Sequence, residues 1–561
     1  MKHDSWIFIR RMSTFWFGLA AIAGFLLTPF QTVVAGTDSY ETQITALLGS
    51  ADTPVLAMVS GKTVYATPLI RQMYRHDGYH LIWKDAAITS FSAALEGLEA
   101  DGLTPGDYRF AEIDPLLDAS KRDRLTPDKR VEADILLTEA FLRAVYHLFF
   151  GKADPERIDA DINFARTYAD KDAMPVLLAY IRQGKIDAAF DWARPKSKYY
   201  QWLKVGLDRY RSYRTAGGWS SIPAGDALKP GLTDPRVATL RKRLAVTADL
   251  PADGAETNDT AVFDPQLEAA VKVFQTRHGL EADGIVGPDT LNAMNVPVSE
   301  RIEQIRVNLE RGRWILHEAY EEYLVADIAG FQLFWATGEE IIWMEQIQVG
   351  KAYTKTPVFK GEIRYLDFNP TWTIPPGILK RSVIPGLKRD PDYLSKKGYH
   401  LLTPKGQPVD PKTVDWKALK GFPYIVRQPA GPNNALGQVK FLFPNPHYVF
   451  LHDTNHRELF DRTKRTFSSG CIRVRNPMDL AERLLAGQEN WTRKRIEAVV
   501  ASGKTTRVIL KRPMRILIAY NTARVPTAGS QVYFREDIYQ RDAAVLAALE
   551  GPFRLHRRDE K

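Results

Sequence analysis

Two residues in the C-terminal third of the chain have the chemistry for acyl transfer. Cys471 closes the run Ser468-Ser469-Gly470-Cys471, and His452 closes the run Tyr448-Val449-Phe450-Leu451-His452. A thiolate is a strong nucleophile, but an ordinary thiol is mostly protonated near neutral pH and needs a base within hydrogen-bond reach. We therefore expect His452 to take the proton of Cys471.

The residues around Cys471 suit the rest of such a reaction. Gly470 permits a sharp turn that exposes the sulfur. That turn would direct the backbone N–H groups of Gly470 and Cys471 into one small space, where they can stabilise an oxyanion. Arg473 follows two residues later and would share the face of Cys471 on a strand. There it would hold a substrate carboxylate or favour the thiolate.

Short elements are predicted to hold these residues in place. Alternation over residues 448–452 predicts a strand that ends at His452, and Ile472 to Val474 predicts another short strand. Asn476-Pro477 is typical of a helix start, and Gly487 is a suitable end for that helix.

These elements belong to a larger β-rich segment. From Tyr320 onward, short apolar or alternating runs lie between Gly and Pro turns, which predicts a β-rich domain. Because it contains Cys471 and His452, we expect the catalytic domain to span residues 301–540. Residues 377–424 interrupt the strand pattern with charged, turn-rich sequence. We expect this insertion to form a cap or lid, with a solvated excursion as the alternative.

The preceding segments are helical. Residues 37–214 carry helical apolar runs and predict a mostly helical scaffold domain. Residues 231–296 form a smaller unit in which Asp234-Pro235 and Asp264-Pro265 each predict a helix start, and a third short helix is expected at Pro288.

Composition limits the class of protein. The chain has 561 residues, of which 45% are apolar and 25% charged, so several globular domains are expected. Its net charge of +9 is spread along the chain without a basic block, which argues against a nucleic-acid partner.

The N-terminus predicts export. Lys2, Arg10 and Arg11 precede an apolar run over residues 15–30, and small residues follow, which is typical of a signal peptide over residues 1–36. The segment would act as a membrane anchor only if it stayed uncleaved. Because the chain has one cysteine, no intrachain disulfide can form, and Cys471 is either buried filler or a working thiol.

Two segments resemble known families. Phe274-Gln275, Gly279-Leu280, Asp283-Gly284 and the run from Val286 to Leu291 resemble the three-helix peptidoglycan-binding module of wall enzymes. His452 followed by Ser468-Ser469-Gly470-Cys471-Ile472-Arg473 is similar to the signature of the L,D-transpeptidases. The order of helical region, binding module and capped catalytic domain resembles the large periplasmic L,D-transpeptidases of Gram-negative bacteria.

The resemblance implies a multidomain α+β fold and a set of site residues. His452 would be the base, Cys471 the nucleophile, and Ser469, Gly470 and Arg473 the surrounding turn. Many members carry a histidine directly before the glycine, whereas this chain has Ser469, as the large Gram-negative subgroup also does. His452 is then the only base in the motif. Further expected substrate-binding residues are Trp372, in a stretch that resembles one flanking the substrate groove, and Tyr353 and Tyr424.

The implied activity is a periplasmic cysteine acyltransferase with peptidoglycan stem peptides as donor and acceptor. It would release D-alanine from a tetrapeptide and form 3→3 cross-links. Two alternatives stay open: water in place of the acceptor amine would make an L,D-carboxypeptidase, and an idle site would leave a wall-binding scaffold. No cofactor is expected. His452 and His456 have a spacing that zinc ligands use on a helix, but His452 is expected to end a strand, so no metal site is predicted.

Overall fold

The computed structural model describes residues 39–49, 56–163, 173–251, 261–317, 321–390, 392–416 and 421–552. The predicted signal peptide over residues 1–36 lies outside these ranges. Within them, no helix combines the length and the apolar character needed to cross a membrane.

The N-terminal region is mostly helical, and each helix starts and ends for local reasons. In the longest helix, for example, Thr126 accepts a hydrogen bond from the Lys129 N–H at the start, and Gly151 adopts a φ of 84° directly after the end. The elements of this region are α1 (Tyr40–Leu48), β1 (Ala57–Val59), β2 (Lys62–Val64), α2 (Thr67–Asp77), α3 (Asp85–Gly97), α4 (Phe110–Ile113), α5 (Ala119–Asp123), α6 (Pro127–Phe150), α7 (Pro155–Ile158), β3 (Ile162–Asn163), α8 (Met174–Arg182), α9 (Ile186–Ala193) and α10 (Lys198–Thr215).

A small helical unit follows, made of α11 (Arg236–Val246), α12 (Pro265–Arg277) and α13 (Pro288–Asn295). The Asp264 side chain accepts a hydrogen bond from the Leu267 N–H at 2.8 Å and caps α12 as predicted. The first helix begins one residue later than predicted, at Arg236, with Pro235 just before it. The apolar faces of the three helices meet in a core of their own, which includes Val237, Leu240, Leu267, Val271, Phe274 and Met294.

The long helix α14 (Val298–Ile315) leads into the β-rich region. The remaining elements are β4 (Glu322–Asp327), β5 (Gln332–Thr337), β6 (Glu340–Gly350), β7 (Val358–Phe368), β8 (Trp372–Thr373), α15 (Pro376–Ile378), α16 (Ile384–Arg389), α17 (Tyr393–Lys396), β9 (His400–Leu402), β10 (Pro408–Val409), β11 (Ile425–Gln428), β12 (Val439–Leu442), β13 (Leu451–His452), β14 (Thr466–Ser468), β15 (Ile472–Val474), α18 (Pro477–Leu485), α19 (Arg493–Ala501), β16 (Thr506–Ala519), β17 (Ala523–Arg524), β18 (Tyr533–Phe534) and α20 (Asp542–Glu550). The chain is therefore multidomain α+β, which confirms the predicted fold class.

The large sheet closes on itself. Its strand order is β12-β13-β15-β6-β5-β4-β16-β7, and β7 pairs again with β12, so the first and last strands of this series are joined. Closure leaves few unpaired edges. The face that carries Leu366, Phe441 and Leu451 is buried in the main core, together with Leu480 and Leu484 of α18.

The N-terminal region is joined to this sheet. Strand β3 pairs in parallel with the start of β7, with Ile162 opposite Val358 and Asn163 opposite Phe359. The core of the N-terminal helices is also continuous with that of the closed sheet. No sequence pattern predicted this added strand, because a pairing over such a distance in the chain leaves no local signal.

The insertion between β7 and β12 has its own fold. A four-stranded sheet in the order β10-β9-β11-β8 packs against α16 and α17 around Ile374, Leu387, Leu401 and Val426. The Asn434 side chain donates to the carbonyl of Pro370 at 3.0 Å and to that of Pro429 at 2.7 Å. These bonds hold the outgoing and returning segments of the insertion together.

Candidate active site

Strand register brings the predicted catalytic residues onto one face of the sheet. β13 and β15 are parallel neighbours, with Leu451 opposite Ile472 and His452 opposite Arg473. Aligned residues on adjacent strands point to the same side, and side chains alternate along each strand. The pairing continues backward through the bond from the Ile472 N–H to the Phe450 carbonyl, at 3.1 Å. His452, Arg473 and Cys471 therefore share one face.

The strand that delivers His452 is shorter than predicted. Only Leu451 and His452 are in the strand, whereas Tyr448 has a φ of 55° and is 85% exposed. The expectation of a strand over residues 448–452 was wrong at its start, because alternation alone does not reveal a left-handed residue. Nearby His447 is half-buried, with its ring 5.1 Å from that of Phe359.

The turn before Cys471 has the geometry that glycine permits. Gly470 has a φ of 118°, which side chains rarely tolerate. Its N–H donates to the Ser468 Oγ at 3.1 Å, and that hydroxyl in turn donates to the Cys471 carbonyl at 2.5 Å. Ser469 is exposed. The buried Ser468 therefore stabilises the turn, and the Gly470 N–H is already engaged.

A second loop clasps this turn. Thr356 Oγ1 donates to the Gly470 carbonyl at 2.9 Å and accepts from the Gly350 N–H at 2.9 Å. A Cβ added at Gly350 would meet the Thr354 carbonyl at 2.1 Å and the Gly470 Cα at 3.1 Å, so only glycine fits there. The Tyr539 hydroxyl donates to the Gly350 carbonyl at 2.6 Å, which ties the clasp to the C-terminal segment.

His452 is held as a neutral imidazole with its Nε2 available as an acceptor. Its Nδ1–H donates to the Asp453 carbonyl at 2.5 Å, which fixes the tautomer. Burial, followed by the positive charges of Arg473 and Lys440, lowers the pKa of His452 to about 3, although the Asp453 carbonyl acts in the opposite direction. At neutral pH the resting imidazole is therefore unprotonated.

The Cys471 thiol is half-buried, and its Sγ lies 3.9 Å from the Tyr448 carbonyl oxygen. Burial raises the pKa of the thiol, whereas the Phe450 N–H and the positive charges of Lys440 and Arg473 lower it. The net direction is upward, so the resting group is a thiol. Ionisation depends on the opposing cations and on His452.

These residues belong to a polar row that crosses six adjacent strands at one level. Each member lies directly opposite the next across a strand pair. In order across the sheet, the row consists of Arg507 (β16), Asp367 (β7), Lys440 (β12), His452 (β13), Arg473 (β15) and Gln348 (β6). All six side chains therefore lie on the face that carries Cys471.

The two ends of the row are paired internally. Arg507 binds Asp367 through two bonds of 2.7 and 2.9 Å, and Arg473 Nη1 donates to Gln348 Oε1 at 3.0 Å. In the centre, the Lys440 ammonium lies 3.8 Å from the centre of the Phe450 ring. The row is thus positive around Cys471, because its one carboxylate is already paired with Arg507.

The aromatic residues predicted to bind substrate occupy two different places. The Trp372 ring contacts that of Tyr399 within the insertion, with centroids 6.1 Å apart. Tyr424 contacts the ring of Trp416, also within the insertion. Tyr353 is 74% exposed in the loop that clasps the Cys471 turn. The structure groups Tyr353 with the turn and the other two with the packing of the insertion.

The histidine spacing that zinc ligands can use does not lie on a helix. His452 ends β13, and the Nδ1 of His456 lies 3.3 Å from Glu458 Oε1. Over the described ranges, the structure contains no cluster of three or more residues suited to holding a metal ion.

Three parts of the chain match known protein families. A family described as "Scaffold domain" matches residues 68–207, and one described as "Putative peptidoglycan binding domain" matches residues 233–294. A family described as "L,D-transpeptidase catalytic domain" matches residues 321–509, which include the polar face and Cys471. The chain carries an L,D-transpeptidase catalytic domain. It also carries a peptidoglycan-binding domain.

A curated relative supports the same assignment. A protein of Haemophilus influenzae named "Putative L,D-transpeptidase" is 32% identical over 259 residues. The match covers 46% of this chain and 52% of the relative, so it spans about half of the relative's length.

Solved L,D-transpeptidases show weaker likeness. A crystal structure from Xylanimonas cellulosilytica has 15% identity and a TM-score of 0.18, and covers 53% of this chain and 99% of its own. A crystal structure from Stackebrandtia nassauensis has 15% identity and a TM-score of 0.20, and the match covers 54% of this chain and 98% of that one.

Sequence reasoning missed Lys440 in the L,D-transpeptidase domain. Lys440 precedes Phe441 in a short strand, and nothing nearby marks it as different from a surface lysine. The available signal was alternation: Val439 and Phe441 are apolar, so Lys440 must point to the opposite face. Which residues share that face follows only from the pairing of β12 with β13.

Proposed function

We propose that this chain is a cysteine-dependent L,D-transpeptidase that acts on the tetrapeptide stems of peptidoglycan. The observation that carries the proposal is the shared face of His452, Cys471 and Arg473 within an L,D-transpeptidase catalytic domain. The peptidoglycan-binding domain supports the same substrate. A polymer of the cell envelope is the substrate of such domains, and the predicted signal peptide makes the periplasm the proposed location.

In the first step, the Cys471 thiol passes its proton to Nε2 of His452 as the sulfur attacks the carbonyl carbon of the donor's third residue. The Nδ1–H of His452 donates to the Asp453 carbonyl, which leaves Nε2 as the accepting nitrogen. A pKa of about 3 makes the imidazole a weak resting base. We therefore propose that the proton moves to His452 while the sulfur attacks. Negative charge then does not build up on the sulfur without a protonated imidazole beside it.

The tetrahedral intermediate carries an oxyanion that needs a donor. The Gly470 N–H donates to Ser468 Oγ, so we assign the oxyanion contact to the Cys471 N–H. The C–N bond then breaks, and the protonated His452 returns its proton to the departing D-alanine amine. The product of this step is a thioester between Cys471 and the third residue of the stem.

In the second step, an acceptor amine attacks the thioester, His452 takes its proton, and the Cys471 thiol is restored. An acceptor amine on the third residue of another stem would give a 3→3 cross-link. Water in its place would give an L,D-carboxypeptidase. Arg473 is proposed to hold a stem carboxylate or to favour the thiolate, and Tyr353, Trp372 and Tyr424 to contact the stem or glycan.

Product analysis tests the proposal. The purified full chain is incubated with disaccharide-tetrapeptide, and the products are weighed beside those of Cys471→Ala. We expect dimers that have lost one D-alanine with the native chain and none with the variant. Trimmed tripeptide alone would replace the transferase by a carboxypeptidase. Unchanged substrate in both samples, with binding to insoluble peptidoglycan retained, would leave only a wall-binding scaffold.

A carbapenem provides an independent test of the nucleophile. An acylating β-lactam should add its mass to the native chain and not to Cys471→Ala. Intact-mass spectrometry that finds no adduct on the native chain would contradict a nucleophilic role of Cys471.

A further inference from the structure

The inference concerns Lys440, which sequence reasoning did not select and which has no role in the mechanism above. It rests on the proposed function, because it takes Cys471 as the nucleophile. Lys440 lies directly opposite His452 on the neighbouring antiparallel strand β12. Its side chain is therefore on the face that carries Cys471, within the central part of the polar row.

Lys440 is held by a ring and not by a carboxylate. Its ammonium lies 3.8 Å from the centre of the Phe450 ring, which is close for a cation–π contact. The neighbour on its other side, Asp367, binds Arg507 through both carboxylate oxygens. Among the described residues, Lys440 forms no ion pair, so its charge is not cancelled locally.

The position of Phe450 directs this charge toward the sulfur. Phe450 and Cys471 occupy neighbouring chain segments, joined by the bond from the Ile472 N–H to the Phe450 carbonyl. Phe450 lies two residues before His452, and Cys471 lies two residues before Arg473. Because His452 and Arg473 are aligned, Phe450 and Cys471 lie at the same level of the sheet. A cation over the Phe450 ring therefore lies on the same face as the Cys471 side chain, with the Phe450 segment between the two strands that carry them.

We propose that Lys440 is a positioning residue whose ammonium group, held on the Phe450 ring by strand register, stabilises the Cys471 thiolate. With Arg473, which lies two residues after Cys471 on the same face, it would contribute positive charge near the sulfur. The two cations oppose the cost of burying a thiolate in a half-buried site. The same two charges lower the pKa of His452, in addition to the larger effect of burial.

The shifts in pKa agree in direction with this geometry. The positive charge of Lys440 lowers the pKa of the Cys471 thiol, against the larger effect of burial. In return, Cys471 raises the pKa of Lys440, although burial lowers it overall. Such reciprocity is required of any pair of coupled ionisable groups.

The other groups around the pair are accounted for. The charged groups that face Lys440 are Asp367 of β7 and, behind it, Arg507 of β16, and the titratable but neutral group is His452 of β13. Helix α18 also contacts β12, but the residues that it buries are Pro477, Leu480, Ala481, Leu484 and Leu485. On the Cys471 side, Glu458 acts on Arg473, and the loop that clasps the turn carries Lys351, Tyr353 and Lys355.

Alkylation kinetics test the proposal without any peptidoglycan. The chain has one cysteine, so the rate of iodoacetamide addition, followed by intact mass, reports Cys471 alone. The rate constant is measured in steps of ~0.5 pH unit between about pH 6 and pH 10, which is sufficient to fit one thiol pKa. The variants are Lys440→Met, Lys440→Arg and the control Lys464→Met, which removes an exposed lysine paired with Glu536.

We expect Lys440→Met to raise the apparent pKa of Cys471 by about one unit, which is about a tenfold lower thiolate fraction at neutral pH. Lys440→Arg should keep most of the native profile, and Lys464→Met all of it. A more basic thiolate is also more nucleophilic, with a Brønsted slope of about 0.4–0.5. The rate at one pH therefore understates the change in the pKa of Cys471, and the full pH profile is needed. A native profile in Lys440→Met, or equal shifts in the Met and Arg variants, would overturn the proposal.

A reciprocal measurement covers the case in which Lys440→Met does not fold. The Lys440 ammonium is titrated by NMR in the native chain and in Cys471→Ala. Removal of the thiolate should lower the pKa of Lys440, and identical titration curves would overturn the proposal. Neither measurement requires turnover, so a failure to form cross-links would count against the proposed function and leave the role of Lys440 standing.

Discussion

The peptidoglycan-binding domain and the proposed catalytic face, which carries His452, Cys471 and Arg473, both hold buried or half-buried cations, but the partners of these cations differ. In the binding domain, Arg277 is 2% exposed and binds Asp249, which is fully buried, through two bonds of 2.5 Å. On the catalytic face, Arg473 donates to the neutral side chain of Gln348, and Lys440 lies on the Phe450 ring. The charge of Arg277 is cancelled by a buried carboxylate, whereas Arg473 and Lys440 have no carboxylate partner and retain theirs.

The difference separates a structural use of charge from a chemical one. A buried ion pair holds two segments at a fixed distance, and removing one partner leaves the other as an unpaired buried charge. A retained cation leaves a positive field, which stabilises an anion that appears later, such as a thiolate or a substrate carboxylate. The following predictions test whether the two regions separate in this way.

The largest effect is expected at the catalytic face. His452→Gln keeps a side chain of similar size but removes the proton acceptor, so the rate of D-alanine release should fall by about 10²–10⁴-fold. Single-turnover release of D-alanine measures this rate. Because His452 is neutral in the resting chain, the variant should fold as the native chain does. A loss below about threefold would show that another group accepts the proton.

The next effect compares the two arginines. Arg277→Met leaves Asp249 buried without its partner, so the local free energy of unfolding should fall by about 3–5 kcal/mol. Arg473→Met leaves only the neutral Gln348 without a donor, and the loss there should be about 1–2 kcal/mol. Hydrogen exchange of peptides from each region gives both values. Equal losses would remove the distinction between the regions.

The same pair should reverse order in a reactivity measurement. Arg473→Met removes a positive charge from near Cys471, so iodoacetamide addition at neutral pH should slow by about threefold, because the greater nucleophilicity of a more basic thiolate partly offsets a roughly tenfold lower thiolate fraction. Arg277→Met acts in a separate core and should leave the alkylation rate unchanged. A slower rate in both variants would indicate that the two regions are energetically coupled.

The retained charge should also appear in the pH dependence of stability. His452 has a pKa of about 3 in the folded chain and an ordinary value of about 6.5 when unfolded. Between these values the unfolded chain binds the proton and the folded chain does not. Stability is therefore constant above pH 6.5 and falls as the pH drops, by up to about 1.4 kcal/mol per unit.

His452→Gln should remove this contribution. Urea denaturation of the native chain and the variant at pH 7 and pH 5 measures this contribution. The free energy of unfolding should fall more in the native chain than in the variant. The same loss in both would mean that other groups account for the acid sensitivity.

The smallest effect concerns the turn. A Cβ added at Gly470 would meet no atom closer than the Lys355 carbonyl at 3.6 Å, so space is available. Its φ of 118° still makes alanine strained, by about 1–3 kcal/mol. Gly470→Ala should lower the melting temperature by a few degrees, whereas Gly106→Ala, where φ is not positive and no atom lies within 4 Å of an added Cβ, serves as the matched control. A larger loss in the control would contradict the assignment of strain to the turn.

Much of the architecture followed from local sequence signals. The capped start of α12, the helix α18 between Asn476-Pro477 and Gly487, and the strand over Ile472 to Val474 were predicted from residue types and spacing. These features depend on interactions within a few residues, which is why a single sequence is enough to show them. The predicted strand over residues 448–452 failed at Tyr448, whose left-handed backbone no alternation pattern reveals.

By itself, the sequence determined that the chain has one thiol and that glycine directly precedes it. It also determined that His452 lies before this cysteine and that Arg473 follows it by two residues. Those facts pointed to Cys471 and His452 as partners in acyl transfer. The pairing of β3 with β7, the closure of the sheet and the alignment of Lys440 with His452 were decided only by the tertiary structure. The physical reason is that register joins residues far apart in the chain, and the charge around a thiol is the sum over such neighbours.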